Sequence, residues 1–409
     1  MSNPKDPKSG ASARPTSTAT RAVRAGLESD VAHGAVVPPI YLSSNFAFEG
    51  FRRPRTYDYT RSGNPTRDAL GSALAALEEG AGAVVTCTGI AAITLILATL
   101  PRRARILAPH DCYGGTYRLL AALHAQDKIV ADFVDQSDPV ALAAALAAAP
   151  KLVWIETPSN PLLRIVDIRA LAQAAHAVGA LAVVDNTFLS PLWQQPLKLG
   201  ADLVMHSTTK YLNGHSDVVG GAVIAGTQEL QQSLEWWANA TGVTGAPFDS
   251  FLCLRGIRTL HARMRVHEEN TAAVVDLLRM HPAVRKLFYP GLPDHPGHDL
   301  AGRQQSGFGA MLSFELDGGE AAVAALLQGL RCFTLAESLG GVESLIAHPA
   351  SMTHAGMDEA ARHKAGIGDG LLRVSVGIED AADLVADLRA GLERAAIAQP
   401  EPHRRRHVS

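Results

Sequence analysis

Lys210 stands in the stretch Ser207-Thr208-Thr209-Lys210-Tyr211, a primary amine among small hydroxyl residues. Upstream, the apolar pair Val183-Val184 ends on Asp185, followed by Asn186 and Thr187. An amine, a carboxylate closing an apolar run and several hydroxyl donors are what pyridoxal phosphate requires. Its aldehyde takes the amine, its ring nitrogen takes the anion, and its phosphate takes the donors. A free lysine titrates near about 10.4, so a lysine acting as a base near neutral pH must have its value depressed, for which a neighbouring cation suffices. Taken singly, Lys210 reads as a surface lysine and Asp185 as a turn cap; it is their pairing that favours chemistry.

Further donors and cations surround this pair. Thr88-Gly89-Ile90 precedes an apolar stretch that begins at Ala91, so the N–H groups of a helix start can face an anion there. A helix terminus gives an exposed charge only about 0.3–1 kcal/mol. A dianion therefore needs more, and Ser207, Thr209 and Arg61 (in Tyr59-Thr60-Arg61) are the candidates. Tyr113, in His110-Asp111-Cys112-Tyr113-Gly114-Gly115, follows a strand end where its ring can stack on a flat ligand, although packing also suits a lone tyrosine. Arg373 interrupts the apolar run Leu371-Leu372-Arg373-Val374-Ser375-Val376. Buried there, it needs an anion, either an internal Asp or Glu or a substrate carboxylate. His206 and His215 lack ligand spacing with other residues, so no metal is expected and both are assigned packing or hydrogen-bonding roles.

The chain that must position these groups has 409 residues, 47% hydrophobic and 19% charged, enough for two or three packed domains of a soluble enzyme. A net charge of −3 argues against a general nucleic-acid binder. The four cysteines, Cys87, Cys112, Cys253 and Cys332, form no C-x-x-C pair, which fits a reducing, cytoplasmic setting better than zinc or disulfides. The longest apolar stretch, 90–100, is too short to span a bilayer. Residues 1–24, rich in Ser, Thr and Ala and carrying several basic residues, read as a disordered tail, as do 399–409 with Arg404-Arg405-Arg406.

Between the tails, 25–74 read as an extended arm leading into a helix capped by Thr66 and running to Leu77. Strand-like runs at 83–87, 105–108, 152–156, 181–185, 202–206 and 221–225 then alternate with helical stretches such as 139–149 and 167–178. Continuous apolar strands separated by helices predict a mainly parallel sheet covered on both faces, here over 75–265. Ligands of such sheets sit beyond the carboxyl ends of the strands, and Asn160, Asp185 and Ser207 fall there. A long helix over 256–281, strands at 286–289, 310–316 and 371–376, and helices at 320–330 and 380–396 predict a smaller α+β domain over 266–398.

Taken together, the motifs resemble the Cys/Met-metabolism family of pyridoxal-phosphate enzymes. They are Asp58-Tyr59-Thr60-Arg61, Gly63-Asn64-Pro65-Thr66, Glu156-Thr157-Pro158-Ser159-Asn160-Pro161, Val184-Asp185-Asn186-Thr187-Phe188, Ser207-Thr208-Thr209-Lys210-Tyr211 and Ala336-Glu337-Ser338-Leu339-Gly340-Gly341. The resemblance implies a fold-type I, aminotransferase-like α/β architecture: a mainly parallel seven-stranded sheet between helices, plus a smaller C-terminal α+β domain. It implies a homotetramer of tight dimers in which Tyr59 and Arg61 reach the neighbouring subunit's phosphate. By the same matching, Lys210 carries the cofactor and catalysis with Tyr113, which stacks on the ring, and Asp185 meets the pyridine nitrogen. Gly89, Ile90, Ser207 and Thr209 hold the phosphate, while Asn160, Ser338 and Arg373 contact the cofactor hydroxyl or the substrate carboxylate. Glu337 and Arg118 belong to substrate binding, and Arg118 can hold a distal carboxylate. Ser62 stands where some relatives carry a second arginine. The implied reaction, a step of transsulfuration in methionine biosynthesis, is replacement at the γ carbon of O-succinyl-L-homoserine by L-cysteine, giving L-cystathionine and succinate. Cystathionine γ-lyases and O-acylhomoserine sulfhydrylases share the scaffold and are the alternatives. A non-catalytic regulatory relative would lack Lys210, Asp185 or Arg373.

Overall fold

Five- and six-residue runs of Val, Ile, Leu and Ala have no polar face to offer water, so they settle as strands covered on both sides. The computed structural model describes residues 16–27, 29–357, 362 and 365–398. Its large sheet comprises β1 (Gly82–Thr86), β2 (Ala104–Pro109), β3 (Ile129–Val134), β4 (Leu152–Glu156), β5 (Leu181–Asp185), β6 (Leu203–His206) and β7 (Gly221–Ala225). The strand order is β1-β7-β6-β5-β4-β2-β3; β7 is antiparallel to both neighbours and every other pairing is parallel. None of the expected strand-like runs matches β3. This edge strand is only half-buried and carries Asp132, so it lacks the continuous apolar signal of the others.

Helices α1 (Thr18–Val23), α2 (Pro65–Glu78), α3 (Gly89–Ala98), α4 (Gly114–Ala125), α5 (Pro139–Leu146), α6 (Ile168–Ala177), α7 (Ser190–Trp193), α8 (Gln228–Thr241), α9 (Pro247–Ile257) and α10 (Leu260–Met280) surround the sheet. Alternation along the strands sorts side chains between its faces. Trp154, Val183, Leu203 and Met205 pack with α3, α4 and α8. Val153, Ile155 and Val184 pack with α6, and Val204 and Ile224 pack with α2, α9 and α10. Each fully buried Leu or Ile contributes about 1.5–3 kcal/mol, so this partition is strongly specified.

Three local expectations are corrected. The cap of α2 is Asn64, not Thr66: Asn64 Oδ1 accepts from the N–H groups of Thr66 and Arg67 at 3.0 and 3.3 Å. Thr66 Oγ1 instead bonds the arm, accepting from Tyr41 N at 2.9 Å and donating to Pro39 O at 3.1 Å. Residues 18–23, expected within a disordered tail, form α1, because Ala22 enters the core and Arg21 pairs with Glu79 at 2.8 Å. Residues 1–15 and 399–409 lie outside the described residues. The single helix expected over 256–281 is two, α9 and α10. Gly256 lies so close to the Asn213 carbonyl that no Cβ fits, and Arg263 Nη2 donates to Gly256 O at 2.8 Å.

The smaller sheet has the order β10-β11-β12-β9-β8, from β8 (Val284–Phe288), β9 (Met311–Leu316), β10 (Thr334–Leu335), β11 (Leu345–Ala347) and β12 (Leu371–Ser375). It is antiparallel apart from the β10–β11 pair. With α11 (His298–Gln304), α12 (Gly319–Leu327) and α13 (Ala381–Ala398), it forms the C-terminal part of the structure. Helix α10 crosses the boundary expected at 265–266: Leu260 and Met264 pack in the large core, and Val274 and Leu278 in the small one. Among the described residues no helix is long and apolar enough to cross a membrane.

Candidate active site

Glu156 and Asp185 close β4 and β5, and Met205 is the last but one residue of β6; all three share the parity of Trp154 and Val183, so they point to the α3 side of the sheet. Beyond these strand ends lies a cavity of about 480 Å³. Gly89, Ile90, Tyr113, Arg118, Asn160, Asp185, Ser207, Thr209, Lys210, Glu337, Ser338 and Arg373 all line it. Twelve scattered positions thus meet at one wall. Asp185 Oδ1 accepts from Thr187 N at 3.0 Å, and burial raises its carboxyl against the opposing Thr187 hydrogen bonds and the His206 charge. A half-buried carboxylate at a strand end is a ready partner for a protonated ring nitrogen.

Lys210 follows β6 in a turn, where its Nζ donates to Ser338 Oγ at 2.6 Å. Burial pulls its ammonium down to about 8, helped by the Arg373 charge and opposed by Glu337. Thr88 caps α3, accepting from Ala91 N at 2.9 Å, which leaves the N–H groups of Gly89 and Ile90 without an intrahelical acceptor. A Cβ at Gly89 would stand 3.0 Å from Ser207 Cβ and crowd this floor, so glycine leaves it open. Ser207 Oγ makes no hydrogen bond among the described residues, while Thr209 Oγ1 donates to Gly220 O at 3.2 Å.

Tyr113 starts α4, and its backbone N–H donates to Glu156 Oε2 at 2.8 Å. The other oxygen, Oε1, accepts from Trp154 Nε1 at 2.9 Å. Burial, with Asp185 as the next cause, pushes the Glu156 carboxyl up to about 8. Arg373 is 3% exposed, yet it has no carboxylate partner among the described residues. Its Nη1 donates to Asn160 Oδ1 at 3.1 Å, its Nη2 to Ser338 O at 2.7 Å, and its buried Nε is unpartnered. Burial lowers it to about 10. An internal salt bridge is therefore not what satisfies this arginine; an anion entering the cavity would. Ser338 sits at φ +87°, a left-handed conformation unusual for serine, pinned by Lys210 on its hydroxyl and Arg373 on its carbonyl.

Tyr59 and Arg61 do not join this cavity. Tyr59 is 48% exposed, and the Arg61 guanidinium lies 5.6 Å from its ring centroid, with Nη1 donating to Asn239 O at 3.0 Å. Arg61 lines a second cavity of about 810 Å³ with Arg67 and Glu235. His206 has the opposite strand parity from Met205, so it turns to α2, where its Nε2 lies 2.6 Å from Glu78 Oε1. Among the described residues no cluster of metal-ligating groups occurs. The cavity also recruits residues absent from the expected set: Glu156, Thr187, Met205 and the roof residues Met352, Thr353 and Gly356. Strand parity could have flagged Glu156; nothing in the local sequence marks the roof.

The donor set fits pyridoxal phosphate. An amine depressed toward neutrality, a half-buried carboxylate, an aromatic wall and two open helix amides beside the Ser207 hydroxyl meet at one cavity. Residues 19–393 match the family model described as Cys/Met metabolism PLP-dependent enzyme. A cystathionine gamma-synthase of Escherichia coli (strain K12) is 58% identical over 378 residues, 92% of this chain and 98% of that protein. A cystathionine beta-lyase of Lactococcus lactis subsp. cremoris is 46% identical over 379 residues, 93% of this chain and 100% of that protein. A crystal structure of cystathionine gamma synthase from Xanthomonas oryzae pv. oryzae in complex with cystathionine is 64% identical. It covers 94% of this chain and 100% of that chain, with a TM-score of 0.93. The seven-stranded, mostly parallel sheet with its smaller companion is the fold-type I architecture. The chain belongs to the Cys/Met metabolism PLP-dependent enzymes, and pyridoxal 5'-phosphate is its cofactor.

Proposed function

We propose that the protein catalyses γ-replacement on O-succinyl-L-homoserine with L-cysteine, releasing L-cystathionine and succinate. The observation that carries this reading is a pair of guanidiniums, Arg373 and Arg118, that have no carboxylate partner among the described residues and line the same cavity as Lys210. A succinylated homoserine brings two carboxylates, one for each. The similarity to cystathionine gamma-synthases over nearly the whole chain supports the same choice.

When bound, the cofactor supplies an electron sink that makes the protons on Cα and Cβ of an amino acid removable. In this reading Asp185 faces its ring nitrogen, Tyr113 covers the ring and Asn160 meets its hydroxyl. Gly89, Ile90, Ser207 and Thr209 hold the phosphate. The chain's own residues do the rest. Arg373 and Ser338 seat the α-carboxylate and Glu337 faces the amino group, which fixes Cα beside Lys210. The Lys210 amine, depressed to about 8, takes the Cα proton and returns protons at the neighbouring carbons. The Cγ–O bond of the ester breaks, the cysteine sulfur forms the new Cγ–S bond, and the thiol proton balances the released carboxylate. Arg118 holds the distal end of the acyl group.

The same reading makes the working unit a homotetramer of tight dimers, with residues 25–74 as an arm whose Tyr59 and Arg61 serve the neighbouring subunit's phosphate. Their distance from the chain's own cavity supports that assignment. Four free cysteines support a cytoplasmic setting.

Two rates test the proposal: cystathionine formed from the succinyl ester plus cysteine, and cystathionine broken down. Formation is expected to be the faster; faster breakdown would make the enzyme a lyase. Lys210→Ala should reduce formation by about a thousandfold or more, since a single proton-transfer group contributes roughly 10²–10⁴ and Lys210 serves several transfers. Near-wild-type turnover would remove Lys210 from the mechanism.

A further inference from the structure

The alternation that sends Asp185 and Met205 toward the cavity sends Asn186 and His206 to the opposite face of the sheet. There they meet Glu78, the last residue of α2. Glu78 Oε1 lies 2.6 Å from His206 Nε2 and accepts from Asn186 Nδ2 at 2.8 Å. All three side chains are buried, and His206 is the one ion-pair partner of Glu78 among the described residues. The Asn186 amide is fixed as well: Nδ2 also donates to Gln194 O at 2.8 Å, and Oδ1 accepts from Gln194 Nε2 at 3.1 Å. Stability alone does not account for such a pair. Taking a carboxylate and an imidazole out of water costs about what their attraction returns, and Glu78 Oε2 has no hydrogen-bond partner among the described residues.

What the pair borders is the carboxylate that closes β5. Asp185 stands opposite Met205 on neighbouring strands, which run about 4.8 Å apart, and His206 is the next residue along. The peptide N–H of Ser207, immediately after His206, donates to Thr187 Oγ1 at 2.9 Å. With a lone pair so engaged, the Thr187 hydroxyl turns its proton to Asp185, whose Oδ1 also accepts from Thr187 N at 3.0 Å. Burial raises the Asp185 carboxyl, and the Thr187 bonds and the His206 charge work against that rise. The imidazole of the pair belongs to the strand beside Asp185, whereas Glu78 lies one layer further out, in α2. A charge pair in that orientation favours a negative Asp185, because the nearer charge is the opposite one.

We propose that Glu78 and His206 are positioning residues that act through Asp185, holding its carboxylate ionised against the ring nitrogen of pyridoxal phosphate from the far face of the sheet. Glu78 keeps His206 in place and charged, His206 keeps Asp185 charged, and Asp185 keeps the ring nitrogen protonated, so that the ring remains an electron sink. Neither positioning residue touches the cofactor. Their role rests on the assignment of Asp185 to the ring nitrogen and is the same whichever amino acid the site takes.

To test this, the full chain is freed of cofactor and reloaded with pyridoxal phosphate or with its 1-deaza analogue, in which C–H replaces the ring nitrogen. Aldehyde and phosphate are identical in the two, so their contributions cancel in the ratio of dissociation constants and the ring nitrogen remains. Wild type should prefer pyridoxal phosphate, and Asp185→Asn should abolish the preference. Glu78→Gln, which keeps the size and the hydrogen bonds but removes the charge, should lower the preference by about tenfold, the lower end of what a nearby opposite charge does to a carboxylate. One unpaired charge left in the interior can prevent folding. The double variant Glu78→Gln/His206→Gln, which buries neither charge, is therefore measured beside it and should show the same fall. Both variants should bind the analogue as wild type does. Weakening of both ligands by the same factor, or an unchanged preference, makes the pair a brace of the fold and overturns the inference while leaving Asp185 in its place. A wild type without preference overturns the assignment of Asp185 to the ring nitrogen, and the role of the pair with it.

Discussion

Glu156, buried at the end of β4, and half-buried Lys210, in the turn after β6, both resist ionisation, and they do so in adjoining pH windows. The Lys210 ammonium falls from 10.5 to about 8, mainly by burial, so between those values the unfolded chain holds a proton that the folded chain has lost. Stability then rises with pH across that window. The Glu156 carboxyl rises from 4.5 to about 8, again mainly by burial, so the folded chain keeps a proton that the unfolded chain has lost. Its contribution is full below about 4.5 and is lost as pH rises toward 8. The two terms leave the cofactor-free protein least favoured near pH 8. Urea denaturation of apoprotein should show Lys210→Met more stable than wild type at pH 7 by up to about 3 kcal/mol, at 1.36 kcal/mol per unit, with the gap closing toward pH 10. Glu156→Gln should gain on wild type between pH 5 and 8. A pH-independent difference for either variant would mean that its burial cost is not electrostatic.

At the scale of elements, Asn64 shows how a short polar side chain fastens the arm to the body. Its Oδ1 caps α2, while its Nδ2 donates to Tyr41 O at 2.9 Å and to Thr60 Oγ1 at 3.2 Å, all in a fully buried position. Asn64→Ala should cost about 1–2 kcal/mol for the cap and its stranded partners, and should speed proteolysis within 41–60 ahead of global unfolding. Unchanged protection there would separate the arm from the cap. Asn64-Pro65-Thr66 also marks what the sequence can reveal. It announces a helix start, yet which of two capping residues caps depends on Tyr41 and Pro39, twenty-odd residues away. Apolar runs disclosed β4, β5 and β7 with their ends, because strands buried on both faces must be continuously apolar. The edge strand β3 and the break after Ile257 were hidden: one rests on pairing with β2, the other on the backbone of Asn213. Lys210, Asp185 and Arg373 could be read as chemistry because their type conflicts with their surroundings. Glu156 escaped notice, since a strand-end acid becomes meaningful only against the Tyr113 backbone.

For the whole molecule, the decisive question is whether one chain makes a complete site. The cavity around Lys210 has open amides and Ser207 at one end, but its cations Lys210, Arg118 and Arg373 are committed elsewhere in the proposed mechanism. A phosphate dianion held there by neutral donors alone would be poorly compensated, because helix amides give only about 0.3–1 kcal/mol per exposed charge. Arg61 is the cation proposed to complete it, and within its own chain Arg61 bonds Asn239, at another cavity. If two-fold pairing brings the arm of one subunit to the cavity of the next, defects in Lys210 and Arg61 fall in different sites of a mixed dimer. Lys210→Ala and Arg61→Ala homo-oligomers are then each impaired, the first in chemistry and the second in cofactor retention. Co-folded in equal amounts, half the dimers are mixed, and each mixed dimer has one site carrying both defects and one carrying neither. Activity should therefore recover to about a quarter of wild type per subunit. Sites made wholly from one chain give no recovery at any ratio, and that outcome would return Arg61 and Tyr59 to surface roles.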